Sequence, residues 1–401
     1  MACGTEPVTT VVRTRVPRVV TVLALSIFVL GTSEFVITGI LPEMATDLRV
    51  SVSDIGYLIS AFAVGMIVGA PLMAVLTLRL PRRTTLVTML VVVVAAHVAG
   101  ALAGSYALLL VVRVVTAFGT GGFWAVAAVV TVSSVGPADR ARALARLLAG
   151  LTVSNVVGIP LGTLVGQSFG WRATFWMIAL LGLAGLVGVL AMVPRGRGRG
   201  EAPSLASETA VFRRGRLWLA LGTTALYQAG MIAMLAYLTP LLITVAGLPA
   251  AAVPVVQVAL GLGSLAGITL GGRFADRHLW RTLFAALIGA TLLLALLGLT
   301  AAVPGFAPVV AVALGFVAFV AAAPLNARVF SLAGAAPTLA SATNTSAFNV
   351  GNSLGPALGG LAIAAGWGLT SPPLIGAVLT VGAIGLALVA RGVDRRETLA
   401  R

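Results

Sequence analysis

The chain is 401 residues long, 59% hydrophobic and only 9% charged, with a mean hydropathy of +1.08. Soluble proteins carry roughly 25% charged residues, so a water-soluble enzyme or binding domain is excluded and a polytopic membrane protein is expected. The net charge of +15 is carried by arginine alone, but the arginines lie between apolar runs, which argues against a nucleic-acid partner.

The first apolar run opens after Arg13, Arg15 and Arg18 and continues to about Leu41, with no cleavage site behind a short hydrophobic stretch. A retained first span is expected, not a signal peptide. A span needs about 20 apolar residues. Twelve such runs follow in chain order: 19–41, 54–78, 84–103, 106–134, 143–168, 172–193, 216–245, 250–272, 282–302, 305–334, 338–365 and 370–390. Between the sixth and seventh lies VPRGRGRGEAPSLASETAVFRRGR, rich in Gly, Pro, Ser and Arg. The expected fold is an all-α integral membrane protein with twelve transmembrane helices in two six-helix bundles. Its expected parts are a tail at 1–18, a bundle at 19–193, a linker at 194–215, a bundle at 216–391 and a tail at 392–401.

Arginine placement gives an orientation. With the N-terminus in the cytoplasm, inside segments carry Arg13, Arg15, Arg18, Arg79, Arg82, Arg83, Arg140, Arg142, Arg146, the clusters at 195–199 and 213–216, Arg273, Arg277, Arg281 and Arg391 onward. Outside segments carry only Arg49 and Arg172. Both termini are therefore expected in the cytoplasm, in a multi-pass protein of the plasma membrane.

The halves repeat. LRLPRR follows the second span and DRHLWR the eighth, and Arg79 to Arg277, Arg83 to Arg281 and Pro42 to Pro240 are each 198 residues apart. Pro160 to Pro356 and the GW pairs at 170–171 and 366–367 are 196 apart. Two bundles related by an axis along the membrane normal imply a cavity between them, the geometry of an alternating-access carrier.

Enzymatic chemistry finds no parts here. Cys3 is the sole cysteine, so no intramolecular disulfide forms. The two histidines and eleven acids show no metal-ligand spacing, and no nucleotide-binding loop or hydrolase motif is present. No cofactor and no metal are expected.

At these residues the chain resembles the major facilitator superfamily. AVLTLRLPRR resembles the family's loop signature after the second helix, with Leu78 where the acid should stand and Ala74 and Pro81 at glycine positions. The second copy, GGRFADRHLWR, keeps Gly272, Asp276 and Arg277. RVVTAFGTGG resembles the fourth-helix element, with Arg113 as its arginine. GNSLGPALGG at 351–360 resembles a glycine–proline signature of proton-driven exporters that usually lies in the fifth helix, where this chain has the looser GIPLG at 158–162. GTSEFVITGILPEMATDLRVS, SAFAVGMIVGAPLMAVL, His97 and GWRATFW are similar to twelve-helix drug:proton antiporters, and among them to actinobacterial chloramphenicol exporters.

Glu34 is the acid that needs a reason. At 1.5 Å per residue it lies about 22 Å into a helix begun near Val19, at a cost of about 2.5–3.5 kcal/mol. A carboxyl that gains and loses a proton is one reading; a static partner for an arginine or a backbone group is the other. Arg113 lies about eight residues into the fourth span, and the resemblance implies that the first and fourth helices both line the cavity, so the two can communicate. The bland reading of Arg113 is snorkelling to the interface. His97 reads as a neutral histidine bonded to a neighbouring helix, or as a proton relay. Asp54 reads as a charge at a helix N-terminus.

The resemblance also marks cavity helices. Their candidate substrate-binding residues are Phe123, Trp124, Asn155, Tyr227, Gln228, Tyr237, Asn344, Phe348, Asn349 and Asn352. An apolar cavity with a few amides suits a drug-sized amphipathic ligand, whereas the same residues equally make interhelical contacts. Arg79, Arg82, Arg83, Asp276 and Arg277 are the expected cytoplasmic gate. Gly158, Pro160, Gly162, Gly351, Gly355, Pro356, Gly359 and Gly360 are the expected close helix contacts, with the prolines bending their helices. The implied function is proton-coupled export of a small drug, chloramphenicol or a related amphenicol, by a monomer whose partners are substrate, protons and lipid. An exporter of sugars or nucleosides is the alternative, and a non-transporting sensor or scaffold the alternative of another class.

Overall fold

A computed structural model describes residues 17–77, 80–136, 139–195, 215–303, 305–333 and 337–399. The tail expected at 1–18 and the linker expected at 194–215 fall largely outside these residues, as do Leu78 and Arg79. Within them the regular secondary structure is helical, with short loops between the helices.

The first span is two helices, α1 (Arg18–Phe35) and α2 (Ile37–Leu48), broken at Val36. Pro42 lies inside α2 and has no N–H to give the carbonyl one turn back. Arg49, with φ 54°, closes α2 in the left-handed region. Then α3 (Val52–Thr77) opens on a capping box: the Ser51 N–H donates to Asp54 Oδ2 at 2.9 Å, and the Asp54 N–H donates to Ser51 Oγ at 3.1 Å. Asp54 therefore serves the helix start. α4 (Arg82–Ala101) and α5 (Tyr106–Ser133) complete spans three and four.

The fifth span is α6 (Arg140–Val153), a π turn at Ser154–Gly158 and α7 (Ile159–Phe169). Pro160 cannot donate to the carbonyl four residues back, and the wider π turn absorbs the mismatch. Gly170, at φ 85°, makes the corner into α8 (Trp171–Met192). Gly366 repeats that corner with the same φ, as the GW spacing predicts.

The second half echoes the first. α9 (Gly215–Ala236) breaks at Tyr237 and continues through Leu238–Pro240 into a π turn at Leu241–Val245. α10 (Val253–Thr300) is two helices joined at His278, whose φ of −144° and ψ of 65° are not helical. α11 (Phe306–Val320) and α12 (Ala322–Ala333) form the tenth span, and α13 (Pro337–Ala364) and α14 (Ser371–Leu399) the last two. Among the described residues, ten segments are long and apolar enough to cross a membrane. One of them holds the two helices of α10, and α13 adds a further 28-residue helix, so the twelve expected spans are all present.

Each half has its own apolar core. Leu23, Ile27, Leu30, Leu86, Leu90, Phe123 and Val189 fill the first; Leu283, Leu287, Leu294, Ala311 and Leu314 fill the second. The outward faces are apolar too: Leu299 is 76% exposed and Val378 71%. Surface of that kind faces lipid. A third apolar layer belongs to both halves. In it Ile37, Ile40, Leu41, Met44, Ile55 and Leu58 meet Ala236 and Tyr237. The halves also touch between α3 and α13 and between α7 and α10. Following the orientation expected from the arginines, the end holding α2 is called outer.

Candidate functional site

Glu34 sits at the break in the first span, two residues before Val36. A helix break leaves carbonyls without their usual N–H partners, and in a membrane interior each must be satisfied from elsewhere. Arg113 of α5 does this. Its Nη1 donates to the Ser33 carbonyl at 2.8 Å and its Nη2 to the Glu34 carbonyl at 2.8 Å. Nε donates to the Leu58 carbonyl of α3 at 3.2 Å, and the Phe62 ring lies 4.4 Å from the guanidinium carbon. Thr38 Oγ1 donates to the Phe35 carbonyl at 2.7 Å. Arg113 is 2% exposed, so it does not snorkel.

The arginine thus serves the backbone of Glu34 and not its carboxyl. Among the described residues no cation lies within ion-pair distance of that carboxyl. Its Oε1 accepts from Asn352 Nδ2 of α13, 3.5 Å away in the other half.

His97 of α4 adjoins the same break. Its Nδ1 lies 2.8 Å from the Val93 carbonyl and its Nε2 2.8 Å from Ser33 Oγ. A carbonyl only accepts, so Nδ1 carries the proton in the neutral tautomer and Nε2 accepts from the Ser33 hydroxyl. The ring rests against Phe175 at 5.7 Å. This geometry is that of a neutral histidine bonded to the next helix. Ser33, which sequence reading passed over, joins His97 and Arg113 through its hydroxyl and its carbonyl.

The structure divides the candidate substrate residues. Gln228 and Asn352 come together at the seam, Gln228 Nε2 donating to Asn352 Oδ1 at 2.8 Å. Asn344 and Asn349 lie on the same helix as Asn352. Asn344 Nδ2 donates to Asn326 Oδ1 at 2.6 Å, and Asn349 Nδ2 donates to the Thr345 carbonyl at 3.0 Å. The amide oxygen of each is buried without a hydrogen-bond partner among the described residues. Asn155 lies half-buried in the π turn, and Trp124 and Phe348 are half-buried. Three others stand in packed interiors. Phe123 is enclosed in the first core, Tyr227 in the second with its hydroxyl on the Val317 carbonyl at 3.3 Å, and Tyr237 in the shared layer with its hydroxyl on the Pro356 carbonyl at 2.8 Å. Bulk and aromaticity mark a core position as readily as a cavity wall, which is why sequence does not separate them.

The glycine–proline segment makes close helix contacts. A Cβ on Gly351 would stand 2.6 Å from Gln228 Cβ, and one on Gly355 would stand 2.4 Å from the Ala229 carbonyl oxygen. Gly359 and Gly360 face Tyr237. In the first half, Gly158 meets Thr32 and Gly162 meets Val36, while Pro160 is buried beside them.

At the inner end, Arg82 donates to Ser133 Oγ at 3.0 Å and Arg83 to the Leu190 carbonyl. Arg79 lies outside the described residues. Asp276 and Arg277 are exposed, and Asp276 forms no ion pair among the described residues. The acid that gathers arginines is Asp394, which pairs with Arg216 and with the buried Arg328 at 2.8 Å, while Trp280 lies against Arg328. At the outer end Asp47 accepts from Trp171 Nε1 at 3.0 Å and pairs with Arg172, so the GWR stretch pins α2 to α8. Neither acid lies near its partners in sequence, so only folding shows the pairings.

Two pseudo-symmetric helical bundles joined along a seam, with the Glu34 carboxyl in it, have the architecture of a membrane transporter. The comparisons agree. The family model of the Major Facilitator Superfamily matches residues 23–356, and the chain belongs to that superfamily. It is 42% identical to a chloramphenicol resistance protein of Streptomyces lividans, over 83% of this chain and 86% of the relative. It is 36% identical to the inner membrane transport protein YdhP of Escherichia coli K12, over 92% of this chain and 93% of that one. Among solved structures, the nucleoside transporter NupG superposes with a TM-score of 0.74 at 15% identity, covering 94% of this chain and 99% of that chain. A bacterial homolog of the human lysosomal transporter Spinster, inward-facing and occupied, gives 0.72 at 19% identity, covering 94% and 97%. At such identities the likeness is one of fold.

Proposed function

We propose that the protein is a proton-coupled exporter of a small organic drug, with chloramphenicol or a related amphenicol as substrate, and that it works by alternating access. The observation that supports this most is the state of Glu34. Its carboxyl lies at the seam with no cation within ion-pair distance among the described residues, while the Arg113 guanidinium hydrogen-bonds backbone carbonyls. A carboxyl so placed can exchange its proton as the seam opens to either side. The relative named for chloramphenicol resistance supports the substrate, and so do the half-buried aromatics and amides described above.

In this reading proton entry through Glu34 drives substrate exit. One charge crossing the membrane supplies about 2.3 kcal/mol per 100 mV, enough for a concentration ratio of about fiftyfold; a pH gradient adds to it. The test is a drug-susceptibility panel in a host stripped of its own exporters, followed by export in energised vesicles. Amphenicol resistance that vanishes with a protonophore is the expected result. Full resistance with the proton gradient collapsed would overturn the coupling, and unchanged susceptibility to every drug would overturn the export of drugs.

A further inference from the structure

Three side chains form a line across the seam. Gln228 of α9 donates to Asn352 Oδ1 at 2.8 Å, and Asn352 Nδ2 donates to Glu34 Oε1 at 3.5 Å. The first link is built in by backbone contact: Gly351 lets α13 approach until its missing Cβ would stand 2.6 Å from Gln228 Cβ and 2.7 Å from the Ala225 carbonyl oxygen. That approach sets Gln228 beside the next residue, Asn352. The second link crosses from one bundle to the other.

We propose that Asn352, held in one orientation by Gln228, is the positioning residue through which the second bundle senses whether Glu34 is charged. The inference rests on the proton-coupled reading of Glu34.

The argument is one of donor count. An amide nitrogen only donates and an amide oxygen only accepts. Left free, Asn352 can turn its nitrogen to a carboxylate or its oxygen to the O–H of the neutral acid, and so bind both forms. Gln228 occupies the oxygen in this arrangement, so Asn352 can turn its oxygen to Glu34 only by giving up that bond or by turning Gln228 with it. As arranged, only the nitrogen faces Glu34. A donor to a charged acceptor makes a bond roughly twice as strong as one to a neutral acceptor. The tie between the bundles is therefore firm when Glu34 is ionised and slack when it is protonated.

Several charged or titratable groups on helices around α1 make other bonds and do not duplicate this link; Tyr106 of α5, for one, donates its hydroxyl to the Asp54 carbonyl. Arg113 of α5 holds the Glu34 carbonyl, and His97 of α4 bonds Ser33 and its own Val93 carbonyl. Asp54 of α3 caps its helix with Ser51, and Arg172 of α8 pairs with Asp47 at the outer end. Arg140, Arg142 and Arg146 lie in the first two turns of α6, at the inner end.

The test follows the outer seam without substrate. Spin labels at Thr46→Cys and Ala365→Cys, in a Cys3→Ser full-length chain in nanodiscs, report the separation of the two outer ends. In the parent, the ratio of near to far populations is expected to change at least about threefold between about pH 6 and about pH 8. Glu34→Gln should flatten that response, and so should Asn352→Leu and Gln228→Leu, each separately. Gln228→Leu does not touch Glu34, so it carries the test even if Asn352→Leu fails to fold. A parent-like pH response in Gln228→Leu or in a folded Asn352→Leu overturns the inference and leaves the coupling role of Glu34 standing. No pH response in the parent overturns both.

Discussion

Arg113 reaches Glu34 through its main chain: Nη2 lies 2.8 Å from the Glu34 carbonyl oxygen, and the carboxyl is left to Asn352. The most buried cation of the first bundle is thus a backbone clamp. It holds open the helix break on which the carboxyl is mounted.

Arg113→Lys tests the clamp. A lysine ammonium lacks the planar fork that holds the Ser33, Glu34 and Leu58 carbonyls together. Each buried carbonyl left unpaired costs about 1–3 kcal/mol. The variant should unfold at a lower temperature in detergent and export at below about a tenth of the parent rate. Parent stability would show that the break satisfies itself.

Glu34→Gln keeps shape and removes the titrating group. It should fold, reach the membrane and bind a neutral substrate, but fail at uphill export in energised vesicles. Glu34→Asp should retain part of the activity with a displaced pH optimum. Uphill transport at the parent rate by Glu34→Gln would reduce the residue to a packing role.

Gly355→Ala should be far more damaging than Gly289→Ala. The new Cβ at 355 meets the Ala229 carbonyl oxygen at 2.4 Å and the Ala233 nitrogen at 2.8 Å, backbone atoms that move only if α9 and α13 part. At 289 the nearest atom is Val317 Cγ1 at 3.6 Å, an ordinary contact. Thermal unfolding of the two purified variants decides it.

Asp47 gives a pH prediction at the outer end. Hydrogen bonds from Arg172 and then from Trp171 hold its carboxyl below the ordinary range. A depressed carboxylate contributes stability above its unfolded pKa and loses it as pH falls through the folded one. Hydrogen exchange in α2 should therefore rise as pH drops below the usual carboxylate range. Asp47→Asn should show fast exchange at every pH.

Orientation is checked by labelling. Single cysteines placed between residues 196 and 214, with Cys3 replaced, should be shielded from an impermeant thiol reagent in intact cells. Labelling from outside would reverse the assignment of outer and inner ends.

Much of this molecule is written locally. Twelve apolar runs, a repeat of 196 to 198 residues and arginines between the spans are short-range signals, and they suffice for a helical membrane protein of two bundles. The capping of α3 by Asp54 and the paired GW corners are local as well. Bilayer physics makes such signals reliable, because a chain in hydrocarbon must satisfy its backbone within each helix.

What only the tertiary structure decided is sideways contact. The family resemblance implied that the helices of Glu34 and Arg113 line one cavity, but not that the guanidinium binds the carbonyls; that depends on the break at Val36 and on how α5 passes it. It offered Tyr227, Gln228, Tyr237 and Asn352 as equals, yet two of them are sealed inside packed layers, while Asn352 reaches Glu34 at the seam and Gln228 holds Asn352. It pointed to Asp276 as the inner acid, whereas Asp394 holds the arginines there. Helical periodicity fixes which residues share a face, but not which helix that face will meet. The partner is chosen by shape across residues far apart in the chain, at positions such as Gly351 where the absence of one carbon brings two helices together.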